Sequence, residues 1–148
     1  MKNKGVLSKI LAVTGTVLVW LPVLAPFVFA IIRLLQSGLL LFDYLMPAEL
    51  FPVVLAGAIL LLAAALRART HRALIGWSLG LTVGFLLAAV GLAGITGLAS
   101  GAIEPEGWPW ALVLMAFAGF WIALLALAVG GILLLRALLA YPQPASGK

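Results

Sequence analysis

Residues 73–99 read ALIGWSLGLTVGFLLAAVGLAGITGLA, with no Asp, Glu, Lys, Arg or His anywhere in the stretch. At 1.5 Å of rise per residue it reaches about 40 Å as a helix, more than the roughly 30 Å hydrocarbon core of a bilayer. The stretch predicts a transmembrane helix. Directly before it stands the polar hinge Arg67-Ala68-Arg69-Thr70-His71-Arg72, and before the hinge residues 50–66 are again uncharged. Residues 10–32 and 108–135 are two more uncharged runs of spanning length. The expected fold is an all-α integral membrane protein, four transmembrane helices in an up-down bundle that forms a single domain over residues 1–148. Its spans fall at about 10–35, 47–66, 73–100 and 108–136. Pro47, with Glu49 close behind, suits the first turn of the second helix, since proline tolerates that position and an acid there complements the helix dipole.

Composition agrees with this reading. Hydrophobic residues make up 66% of the 148 positions and charged residues 9%, against about 25% charged in soluble domains. Four spans of about 20 residues nearly exhaust the length, so the chemistry of the chain must sit in the helices or at their ends. The net charge of +5 comes from scattered bases that form no stripe interleaved with aromatics, which argues against a nucleic-acid partner. The absence of cysteine excludes disulfides, thiolate metal sites and cysteine nucleophiles. Lys2, Lys4 and Lys9 followed by an apolar run resemble a secretory signal, but Pro26 would follow a cut after Ala25, so the segment reads as a first span.

Charge placement sets the expected orientation. Lys2, Lys4, Lys9, Arg67, Arg69, Arg72, Arg136 and Lys148 fall on one side of the predicted spans, while Arg33 and the acids Asp43, Glu49, Glu104 and Glu106 fall on the other. Basic residues near span ends stay in the cytoplasm, so both termini are expected inside, in a bacterial-type cytoplasmic membrane. Trp108, Trp110 and Tyr44 then mark the outer boundary, Trp77 and Tyr141 the inner one, while Trp20 and Trp121 read as packing residues. In size and span count the chain is similar to small multidrug transporters and fluoride channels. It departs from the former in lacking a glutamate in the first span, and from the latter in a charge bias too strong for dual topology.

Helices in lipid associate through small residues that let backbones approach. Gly76, Gly80, Gly84, Gly91, Gly94, Gly97 and Gly101 fall within an arc of about 140° on the third span, and Ala116, Gly119, Ala123, Ala126 and Gly130 within about 80° on the fourth. These two stripes are expected to face each other or another subunit. Pro22 and Pro26, one turn apart in the first span, predict a kink or a widened turn.

No span contains an ionisable residue, which weighs against proton-coupled antiport, intramembrane proteolysis and haem ligation. A single histidine, His71, sits among arginines in the hinge and cannot by itself hold a metal. The span hydroxyls Thr14, Thr16, Ser78, Thr82, Thr96 and Ser100 lack a base in their own helices and are expected to bond backbone carbonyls. No metal, cofactor or catalytic residue is expected. A candidate ligand-binding rim remains on the outer side, where residues 33–49 are too apolar for an ordinary loop and are expected to form an interfacial or re-entrant segment. There Arg33 is expected to pair with Asp43 or Glu49, beside Tyr44. The expected function is that of a non-enzymatic accessory, scaffold or lipid- or ligand-binding subunit. Its partners would be membrane lipid and further copies or another membrane protein. The alternative is a small oligomeric channel or carrier for a neutral or apolar solute.

Overall fold

The computed structural model describes residues 2–37, 50–102, 104 and 106–140. Its elements are four α-helices: α1 (Lys2–Ser37), α2 (Phe51–Ala68), α3 (Arg72–Ile95) and α4 (Gly107–Ala140). All four are long and apolar enough to cross a membrane. The protein is an all-α integral membrane protein.

The helix ends depart from the ends of the uncharged runs. α1 is helical from Lys2 and continues through Pro22 and Pro26, both of which are buried. α4 likewise runs past Arg136 to Ala140. Lys, Arg, Leu and Ala are all good helix formers, so a charge marks where the hydrocarbon ends without ending the helix. α3 is shorter than expected and stops at Ile95, where Thr96 Oγ1 donates to the Leu92 carbonyl at 2.6 Å. Gly97 then takes φ +79°, a left-handed conformation that closes helices. α2 starts at Phe51 with Pro52 in its first turn. Pro47, Glu49 and the expected interfacial segment lie outside the described residues.

The chain divides into two compact units, Met1–Ile75 with Leu127–Lys148, and Gly76–Ala126. In the first unit α1 packs antiparallel on α2. Its buried row, Ala12, Thr16, Val19 and Val23, recurs every three or four residues, as does the row Val54, Ala58, Leu61 and Ala65 on α2. The tightest approach is at Gly15 and Gly57. A Cβ on Gly15 would stand 2.8 Å from the Gly57 carbonyl oxygen, and one on Gly57 would stand 2.8 Å from Leu18 Cβ. The C-terminal half of α4 completes this core, with Gly131 so close that a Cβ there would meet Thr16 Oγ1 at 2.8 Å. Val13, Val17, Leu21, Leu24 and Val28 cover the opposite face of α1 and are all exposed. Both faces of the helix are thus apolar, as lipid requires.

In the second unit α3 and the first half of α4 form a helical hairpin. Ser78, Thr82 and Ala89 are buried on α3, and Val113, Ala116, Phe120, Ala123 and Leu124 on α4. Phe85 lies against Gly119, where a Cβ would come within 2.7 Å of the ring. Trp121 packs edge-on to Phe120 with ring centroids 6.2 Å apart.

Of the two neighbours expected for the α3 glycines, the facing stripe of α4 is not in contact with them among the described residues. On α4 the small residues do line the hairpin, but α3 answers with Phe85 and Thr82 instead of glycine. Gly80, Gly84, Gly91 and Gly94 each have open space, among the described residues, where a Cβ would be. At 100° per residue they lie about 180° around α3 from its buried row. Gly76 is half-buried.

Candidate functional site

Arg33 is exposed in the last turns of α1. Asp43, Tyr44 and Glu49 lie outside the described residues, so the expected outer-rim cluster does too. Glu104 and Glu106 are exposed in the connection between α3 and α4, where the Glu106 amide donates to the Glu104 carbonyl at 2.7 Å.

Among the described residues the buried polar side chains are Ser8, Thr16, Ser78 and Thr82. Thr16 Oγ1 donates to the Ala12 carbonyl and Thr82 Oγ1 to the Ser78 carbonyl, each at 2.7 Å. Both bonds stay within one helix, four residues back, so each hydroxyl satisfies itself locally and presents an effectively apolar surface to the next helix. Among the described residues no buried side-chain nitrogen or oxygen is left without a partner.

Two places carry features that packing alone does not require. One is the open row on α3, where Gly80, Gly84 and Gly91 bare a strip of backbone, with Leu87 (66% exposed) between them. A knob from another helix fits such a strip, because glycine lets the two axes approach closely. Sequence reading identified these glycines and left their neighbour open between the fourth span and another subunit.

The other is a cleft of about 520 Å³ at the basic end of the first unit. Gly5 and Ser8 of α1, Leu66 and Arg67 of α2, Arg69 of the hinge and Leu138 of α4 line it. The hinge is tight: Arg69 and His71 both adopt φ 54°, the left-handed region that costs a side chain of L chirality about 1–2 kcal/mol. Thr70 Oγ1 braces the turn by donating to the Ala68 carbonyl at 3.1 Å. The turn holds Arg69 at the C-cap of α2, one turn beyond Ala65 of the core, and leaves it exposed beside Arg67. Sequence reading gave this segment as a polar hinge and assigned it no site. The arginine spacing was visible in it, but the approach of α1 and α4 was not.

No protein family, no curated protein and no solved structure matches the chain.

Proposed function

We propose that the protein is a non-enzymatic membrane subunit that docks a neighbouring transmembrane helix, from a second copy or from a partner protein, on the glycine face of α3. One observation carries the reading: Gly80, Gly84, Gly91 and Gly94 of α3 are turned away from the helix's own buried row and meet nothing among the described residues. A helix that needed only lipid on that side would gain from larger side chains, because glycine weakens a helix interior by about 1 kcal/mol relative to alanine. Close approach of a second backbone offsets that cost through van der Waals contact. The buried threonines support the same reading, since their hydroxyls are spent on their own helices.

The proposed setting is a bacterial-type cytoplasmic membrane with both termini in the cytoplasm, supported by the bases at one end of the helices and by Trp77 and Trp108, exposed at the starts of α3 and α4. Single cysteines test both proposals on a chain that has none. In native membranes, Gly80→Cys, Gly84→Cys and Gly91→Cys should give bismaleimide cross-links, whereas Thr82→Cys and Ala89→Cys should not. Cross-linking without that periodicity would contradict the docking face. An impermeant thiol reagent on intact cells should label Ser100→Cys and spare Thr70→Cys; the reverse pattern inverts the topology.

A further inference from the structure

We propose that the cleft between the start of α1, the end of α2 and the end of α4 binds a phosphate-bearing anion, with Arg67 and Arg69 as its donors. Its volume of about 520 Å³ falls within the roughly 300–1,000 Å³ of small-ligand sites. The walls divide by chemistry. Leu66 and Leu138 give an apolar side, buried Ser8 and the backbone of Gly5 a small polar floor, and the two arginines a charged rim. A polar head carrying a short apolar stem matches that division.

The electrostatic balance favours an anion. Two helices, α2 and α4, end at this side of the unit and two, α1 and α3, begin at it, so their negative and positive ends of about half a charge each roughly balance. The two full guanidinium charges then set the sign. Gly5, one turn into α1, has no side chain and so leaves room for a head group beside the arginines. No carboxylate among the described residues answers the arginines. Glu104 and Glu106, the acidic side chains among the described residues, belong to the other unit, and no acid lines the cleft. Arginine suits the role because its planar fork meets a phosphate through two parallel hydrogen bonds. Basic pockets at the ends of membrane helices lie at the depth of the headgroup layer, where lipid phosphates are the abundant anions, while soluble phosphate esters share the same chemistry.

The test uses the purified full chain in a neutral detergent, titrated separately with phosphatidylglycerol, phosphatidylcholine and inorganic phosphate. Binding is read by native mass spectrometry and by the shift in melting temperature. Retention of phosphatidylglycerol over phosphatidylcholine, with no response to inorganic phosphate, supports the site with a lipid headgroup as its source. A comparable response to inorganic phosphate supports it with a free phosphate as its source. Equal response to both lipids, with none to phosphate, overturns it. Arg67→Gln and Arg69→Gln should each weaken anion binding about fivefold, the equivalent of about 1 kcal/mol per basic residue at an anionic surface. Arg67→Lys with Arg69→Lys, which keeps the charge and removes the fork, should lose less than the paired glutamines. Arg136→Gln, at the same end but outside the cleft, should leave binding unchanged. A loss at Arg136 equal to that at Arg67 would show diffuse surface charge instead of a site and overturn the proposal.

Discussion

Glycine does opposite things in two parts of this molecule. Where α1 crosses α2, Gly15 and Gly57 are crowded by each other's backbone, with atoms within 2.8–3.0 Å of where a Cβ would stand. Along α3, Gly80, Gly84 and Gly91 repeat at the spacing usually read as a packing motif, yet their Cβ positions are open. The first pair makes the fold. The second row is surface that no described residue covers. In lipid a glycine stripe therefore shows where a backbone can be approached, and only the neighbouring elements decide whether the chain itself makes the approach.

The sharpest way to break the comparison is to fill the crowded side. Gly15→Leu places a branched side chain against the Gly57 carbonyl and the backbone of Leu61, neither of which can move without parting the helices. Its expected outcome is loss of the α1–α2 core, read as loss of the cooperative thermal transition in detergent. Overpacked cores commonly lose about 1–3 kcal/mol, and contact with backbone puts this variant at the upper end of that range or beyond.

A smaller effect is expected at Gly131. An added Cβ there has as its nearest neighbours Thr16 Oγ1 at 2.8 Å and the ends of Leu61 at 3.2 and 3.4 Å. Gly131→Ala should displace the threonine hydroxyl from its bond to Ala12 and cost about 1 kcal/mol, the typical net worth of such a bond. Thr16→Ala removes the obstructing atom, so the double variant should be more stable than the sum of the single changes allows. A double-mutant cycle measures that coupling directly. Additivity would show that the strain lies elsewhere.

The hinge gives the smallest effect and the converse case, a place where the backbone favours glycine and has none. His71 is exposed at φ 54°. His71→Gly should relieve part of the left-handed strain and raise stability by a few tenths to about 1 kcal/mol, the gain being reduced by the greater freedom of glycine in the unfolded chain. Denaturant titration with an unchanged slope would check it.

These contrasts also explain what the sequence disclosed. The four spans were legible because the missing charge over residues 73–99 and its counterparts leaves a lipid-embedded helix as the only reading. Helix ends were not, since Lys2, Lys4, Lys9 and Arg136 stop the hydrocarbon but belong to helices that continue. The buried faces were hidden for a related reason. α1 exposes Val13, Val17 and Leu21 and buries Val19 and Val23, so polarity does not separate its sides. Only size does, and Ala12 with Thr16, four residues apart, gave a weaker signal than Gly76, Gly80 and Gly84 at an even four-residue spacing. Of the outer-rim residues, Arg33 alone falls within the described chain. The basic cleft needed the ends of three helices to meet, which residue spacing along any one of them does not encode.

The central claim, that position and not spacing decides what these glycines do, is tested most directly by adding one methyl group to each kind. Gly57→Ala and Gly84→Ala are to be unfolded side by side, as dilute monomers in the same detergent. Gly57→Ala should lose at least 1 kcal/mol by overpacking, while Gly84→Ala should stay within about 0.5 kcal/mol of the parent or gain slightly. Equal losses at the two positions, or a larger loss at Gly84, would contradict the account.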